Sequence, residues 1–372
     1  MRKIFFIALL FFTTAGFLTA QEKPQIVSYL DSTSVNQITG DENELWIATY
    51  GRGIYHYIKS SDKWENFSTA MGNLQQDFFY CISYNKDFVW AGCSDGLFIY
   101  DRKHNIWLKR KFGKGGEMGN WVRALAFDKS TNTLWIGRFK YLSRLELNNQ
   151  RFSDIDLTVN EDAKTNNIKS IKLDGDSVAW FGTEVGIHKY NKSKDIEDPS
   201  SRQFITNKTN SFNGDGDVIS LSDILFESRN IWFGLDEFVT FQKPNFNIGG
   251  IYCYNRKIDW RRFDKYTGMS ANGVYCLART GNIIWASLYE FNKKNKEQVG
   301  QGIALINRIT KSVTKVSKDE LNLRSDKIIS MFFDGNYMWL GTEAGLLKVK
   351  ITNDFATLRV DGLRVENNKK RS

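Results

Sequence analysis

Seven tryptophans, each followed two positions later by a residue with almost no side chain, leave few folds open to this sequence. They read Trp46-Ile47-Ala48, Trp90-Ala91-Gly92, Trp135-Ile136-Gly137, Trp180-Phe181-Gly182, Trp232-Phe233-Gly234, Trp285-Ala286-Ser287 and Trp339-Leu340-Gly341. The Trp-to-Trp spacings are 44, 45, 45, 52, 53 and 54 residues, so one repeated unit accounts for most of the 372 positions. Side chains on a strand alternate between faces, which puts each indole and its small partner on one face. A small residue held at that place in every copy is what close packing of one unit on the next requires.

The second copy shows what a unit contains. Four short runs rich in β-branched and aromatic residues, at 79–84, 88–93, 97–100 and 106–109, alternate with turns rich in Asp, Asn, Ser and Gly. Such runs read as antiparallel strands joined by hairpins. Four strands in about 45 residues, repeated in tandem, are the mark of a propeller blade. The expected fold is therefore all-β, a seven-bladed β-propeller of four-stranded antiparallel blades over residues 21–360. The third strand opens with glycine in six copies, at Gly53, Gly96, Gly186, Gly250, Gly302 and Gly345, which suits a tight turn with positive φ. Tyr141 stands there in the third copy, so that turn is expected to differ. A ring must be sealed at its last blade. The run 25–30, which precedes the first inner strand, is favoured as the closing strand over 355–360.

The first 20 residues carry Arg2 and Lys3, an apolar run from 4 to 18, and Ala20 before Gln21. That order of charge, apolar centre and small residue predicts a secretory signal peptide at 1–20 and a periplasmic or secreted bacterial protein. The run is short for a bilayer span, and no later segment is apolar for long enough. Removing the two basic residues takes the formal charge from +9 to +7, part of it in the basic tail 361–372. The remainder is mild, and no nucleic-acid partner is expected. In an oxidising compartment the four cysteines, Cys81, Cys93, Cys253 and Cys276, have the opportunity to pair. A Cys81–Cys93 bridge is geometrically open, but buried free thiols are expected.

The phrases Trp-Leu-Gly-Thr-Glu-Ala-Gly-Leu at 339–346 and Trp-Phe-Gly-Thr-Glu-Val-Gly-Ile at 180–187 resemble the two-component regulator propeller repeat, as does the connector from Tyr266 to Val274. The resemblance covers roughly residues 25–360. It implies a seven-bladed fold and the sensor regions that precede histidine kinases, often tuned to glycan fragments. With no membrane span, kinase or DNA-binding region read after the propeller, only the binding half is expected here.

Two second-to-third-strand connections are enlarged, at 236–248 and 289–301, on adjacent blades and one face. Long connections on a rigid scaffold often carry function. The inner-strand residues entering from that face differ sharply: Asn36, Tyr80, Arg123, Lys169, Ser222, Tyr275 and Ile329, with Trp121 just before the third. A ligand at the axial mouth is expected to meet Tyr80, Trp121, Arg123, Arg138, Lys169, Asp223, Tyr275, Tyr289 and Glu343. Aromatic rings there would stack on a sugar and polar groups would fix its hydroxyls. The cations would favour an anion, unless they pair with the neighbouring acids. An oligosaccharide or a protein is the expected partner.

Catalytic signals are sparse. His56, His104 and His188 show no metal-ligand spacing, and neither metal nor cofactor is expected. No Gly-x-Ser-x-Gly elbow occurs. A polysaccharide lyase or glycoside hydrolase would draw acid and base from Glu184, Asp223, Glu290 and Glu343, aided by Arg123, and would need two carboxylates facing across one pocket. A protein-assembly scaffold, using the same broad face, is the third reading.

Overall fold

The structure is a computed structural model that describes residues 26–351, apart from 317 and 320, and a hairpin pairing Arg359–Val360 with Leu363–Arg364. The signal peptide expected at 1–20 and nearly all of the basic tail lie outside the described residues, as does most of the rejected closing strand at 355–360.

Seven four-stranded antiparallel sheets follow one another along the chain. Blade four is representative, with strands Ser170–Asp174, Val178–Gly182, Ile187–Asn191 and Arg202–Ile205. Blade seven takes three strands from the C-terminal side, Ile328–Phe333, Tyr337–Thr342 and Gly345–Lys350. Its fourth is Ile26–Tyr29, with Ile26 opposite Val349 and Tyr29 opposite Leu346. The N-terminal segment is thus the clasp.

The Trp-plus-small motif sets the spacing between blades. A Cβ added at Gly182 would come within 2.2 Å of Leu221 Cδ2 in blade five, and one at Gly92 within 2.5 Å of Val122 Cγ1 in blade three. At Gly341 it would meet Val35 Cγ1 of blade one at 2.6 Å, so the same contact closes the ring. Sheets this near accept an added methyl only if the facing side chains of the next blade shift. At the third-strand entries Gly96 and Gly345 have φ of 123° and 144°. Tyr141 keeps the same left-handed sense at φ 74°, so the third blade does not change its turn as expected; it holds an unfavourable backbone instead.

The enlarged connections are partly strand, with a loop left at 239–246 in blade five and a tight turn at 293–296 in blade six. Each continues its strands beyond the rim, giving Ile231–Phe238 with Asn247–Tyr254 in blade five and Ile283–Asn292 with Glu297–Asn307 in blade six. The two hairpins brace each other. Glu237 accepts from the Phe291 amide at 2.8 Å, and the rings of Phe238 and Phe291 lie 4.6 Å apart. All four cysteines are free and buried.

One core polar group carries a pH prediction. His188 is buried in blade four, its Nε2 2.7 Å from the Thr165 carbonyl, and burial pushes its imidazole down from 6.5 to about 4. The unfolded chain therefore takes up a proton first as pH falls. The stability due to this residue is whole above pH 6.5 and is lost towards pH 4, with a full loss of about 3 kcal/mol. In urea titrations at pH 7.5 and pH 4.5, the fall in midpoint is expected to be smaller in His188→Gln than in the natural protein.

Candidate functional site

The inner strands do not run as regular ladders. In blades one, three, five, six and seven the register slips by one residue, at Val35/Gln37, Val122/Ala124, Leu221/Asp223, Val274/Cys276 and Ile328/Ser330. In blades two and four the amides of Tyr80 and Lys169 reach the carbonyls of Gly92 and Gly182 just before the ladder starts. Each slip leaves one residue opposite the small residue of the motif without a ladder partner, and such a bulge re-aims its side chain. The residues affected are Asn36, Tyr80, Arg123, Lys169, Ser222, Tyr275 and Ile329. All seven line one axial channel of about 510 Å3.

Five of the predicted site residues meet in that channel: Tyr80, Arg123, Lys169, Asp223 and Tyr275. Trp121 stands beside them, its ring 5.6 Å from that of Tyr80 and stacked 5.4 Å from Phe139, with the Arg123 guanidinium 5.5 Å from its centre. The buried hydroxyls of Ser222, Tyr275 and Ser330 have no hydrogen-bond partner among the described residues. Burial, and after it the charge of Glu343, push the Tyr275 hydroxyl above its ordinary range, which keeps it a neutral donor.

The charges of the mouth are matched. Arg123 binds Glu184 at 3.0 Å, and Lys169 is held by Asp236 and by Ser220 Oγ. Lys172, which composition alone did not single out, binds Asp223 at 2.9 Å. Asp223 also accepts from its neighbour Ile224 N and, across the blade boundary, from Leu277 N at 2.8 Å. It is a tie between blades. Lys169 and Asp236 also belong to the wall of a second hollow of about 240 Å3 beside the raised hairpins, with Lys164, Glu184, Phe246 and Asn247 around it.

Three predicted residues sit elsewhere. Arg138 is wholly buried within blade three, paired with Asp154 at 2.7 Å, and offers no surface to a ligand. It occupies the position after the small residue, where Thr49, Cys93, Thr183, Leu235, Leu288 and Thr342 are equally buried; that column was the signal against it. Tyr289 is also buried, its hydroxyl accepting from the Glu237 amide at 2.9 Å, and it braces the two hairpins. Glu343 is exposed on blade seven and accepts from Ser325 Oγ at 2.8 Å. The carboxylates that a hydrolase would need are also dispersed: Asp223 lines the channel, Glu184 the second hollow, and Glu290 pairs with Lys265 at 2.6 Å in solvent. Among the described residues, no group of three His, Cys, Asp or Glu is arranged to hold a metal.

No family model matches the sequence, and no curated protein does. Solved structures do match in fold. The extracellular domain of BT4673 from B. thetaiotaomicron, proposed as a one component or hybrid two component system, aligns over 90% of this chain at TM-score 0.65 and 18% identity. This chain spans 41% of that one. Virginiamycin B lyase from Staphylococcus aureus aligns over 89% of this chain and 99% of its own, at TM-score 0.62 and 13% identity. PorZ, a surface component of the type-IX secretion system of Porphyromonas gingivalis, aligns over 86% and 46%, at TM-score 0.61 and 13% identity. Likeness at this identity establishes the fold, and it is consistent with the resemblance to the two-component regulator propeller.

Proposed function

We propose that this protein is an exported, non-catalytic binding propeller that takes a polar ligand, an oligosaccharide by preference, at the axial mouth on the face of the raised hairpins. The ring of seven inner-strand residues, five of them at bulges, carries the proposal. A scaffold whose core columns are uniform turns seven side chains of six kinds into one channel, and that is where selectivity can be stored. Two tyrosines and Trp121 offer stacking faces, and the unpartnered hydroxyls offer hydrogen bonds to sugar hydroxyls. Export is supported by the leader-like N-terminus and by the extracellular origin of the BT4673 domain. Among the described residues, no helix is long and apolar enough to cross a membrane.

The lyase or hydrolase reading is not favoured by its candidate carboxylates, which stand on four blades, each with a partner of its own. The scaffold reading keeps one observation. The hairpin tips expose Phe241 (76%) and part of Phe238, near Lys243 and Lys293, a surface suited to a protein partner.

Isothermal titration against a panel of oligosaccharides tests the first reading. The double variant Arg123→Ala/Lys169→Ala is expected to weaken the best binder by roughly tenfold to a hundredfold, the value of charge-assisted hydrogen bonds. Silence across the panel would remove the glycan and leave the hairpin tips as the surface to pursue.

A further inference from the structure

A further hollow with the character of a binding site lies far from the axis, between the outer strands of blades four and five. Blade five stacks Tyr254 on Trp260 with ring centres 4.5 Å apart. Blades one and two build the same couple, Tyr57 on Trp64 at 4.4 Å and Tyr100 on Trp107 at 4.9 Å. In those blades the preceding blade covers it with rings of its own. Tyr29 lies 5.2 Å from Trp64, and Phe67 lies 5.0 Å from Tyr100 and 5.6 Å from Trp107. At blade five no ring of blade four reaches the couple among the described residues; Ile205 occupies the place of Phe67. A groove of about 360 Å3 is left, with Trp180, Phe233, Tyr254 and Trp260 in its lining and Ile258, 82% exposed, at its lip.

The far wall is built at a cost. Asn210, Phe212 and Asn213 all have φ near +55°, a conformation that disfavours a bulky side chain above all. Phe212 holds it because its ring is fully buried, 4.4 Å from Trp260 and 5.5 Å from Phe233. The anchored turn sets Asn210 and Ser211 along the groove. The side-chain amides of Gln203 and Asn210 face no hydrogen-bond partner within the described residues.

Two further observations point to a ligand and to its charge. The indole N–H of Trp180, itself 2% exposed, has no acceptor. Trp232, Trp285 and Trp339 have theirs in Glu227, Thr280 and Asp334. Trp46, Trp90 and Trp135 share the deficit, but the hollow beside Trp135 has its cations neutralised, Arg144 by Glu146 and Lys192 by Asp128. The groove at blade five contains Lys189 and Lys257, no carboxylate lines it, and neither lysine forms an ion pair among the described residues.

We infer that this groove binds an acidic saccharide, a short oligosaccharide carrying uronic carboxylates. The Trp260 and Tyr254 rings take the apolar face of a pyranose, Gln203 and Asn210 meet its hydroxyls, and the two ammonium groups receive its carboxylates. An acidic peptide is the rival occupant, since the outer strands Arg202–Ile205 and Trp260–Phe263 beside the groove are sheet edges; the neutral amides of Gln203 and Asn210 around it favour the sugar.

The test is calorimetric titration of the full mature chain with hexasaccharides of galacturonate, glucuronate and mannuronate, with a neutral maltohexaose and with a hexaglutamate peptide. At least one uronate is expected to bind, with the maltohexaose and the peptide weaker by about tenfold or more. Trp260→Ala and Lys189→Ala/Lys257→Ala are each expected to weaken that uronate by about tenfold or more, while Arg123→Ala/Lys169→Ala in the channel leaves it unchanged. Lys257 is exposed and Lys189 is half-buried with its ammonium 5.5 Å from the centre of the Trp180 ring, so circular dichroism and the melting point of the double variant are measured alongside, and Lys257→Ala alone is expected to weaken the uronate with the fold unchanged. The inference is overturned if no uronate binds, if the peptide binds as well as the uronate, or if the channel variant abolishes binding that the lysine variant spares.

Discussion

A chain begun after Leu30 is expected to melt at least about 10 °C lower than one begun at Gln21, and to associate in gel filtration. The deletion removes the strand Ile26–Tyr29, and with it the ladder that pairs the first described residues with blade seven. Tyr29 is the larger part of the loss. Its ring lies 5.2 Å from Trp64, 6.0 Å from Tyr57 and 6.0 Å from Trp339, joining the first blade to the last. Deleting a ring of this size from a packed site costs about 3–5 kcal/mol, before the ladder hydrogen bonds and the side chain of Ile26 are counted. Against a total stability of about 5–15 kcal/mol that is a large fraction. The deletion also leaves Gly345–Lys350 as an open edge, the feature a closed ring avoids. Tyr29→Ala alone should recover roughly half of the effect. A truncated chain that melts within about 2 °C of the longer one would mean that the ring is held shut elsewhere.

The ring itself was legible because it rests on size. An indole on one strand and a small residue two positions on is a pattern that no other packing of these lengths demands, and Gly182 against Leu221 shows what it encodes. The contents of the channel were only half legible. The variable inner-strand column was visible as variation, yet the bulges that turn it inward were not, since an alternating pattern carries no mark of one extra residue. Chain length in the two insertions was visible too. Its use was not, because the hairpins at 236–248 and 289–301 brace each other through long-range contacts: Glu237 caps the Phe291 amide and Tyr289 receives the Glu237 amide. The groove at blade five was invisible for a related reason. It is defined by a ring that blade four does not supply, and an absence at an interface leaves no residue to read.

Arg138 gives the second large effect, and it shows what a structural cation in a blade core contributes. Its guanidinium is sealed in blade three between the rings of Phe112, at 4.4 Å, and Tyr141, at 5.7 Å. It donates to Asp154 at 2.7 Å and to the carbonyls of Gly119 and Lys114 at 2.7 and 3.1 Å. Burial pulls it below the ordinary arginine range, with Asp154 opposing, so the carboxylate is what keeps a charge tolerable there. Asp154→Ala leaves that cation without its counter-charge, and the expected loss is about 3 kcal/mol, at the lower end for a broken buried pair because the two carbonyls remain. Arg138→Met removes the charge with its partner still able to reach water, and should cost less. The combined variant Arg138→Met/Asp154→Ala is then expected to be more stable than Asp154→Ala alone, by roughly 1–2 kcal/mol. Urea midpoints for the four proteins close the cycle. If Asp154→Ala is silent, or if the two losses simply add, the pair is not coupled and the arginine is free for another role. The coupling expected here places Arg138 among the groups that hold blade three together, whereas Arg123 of the same blade and Lys169 of blade four line the axial channel.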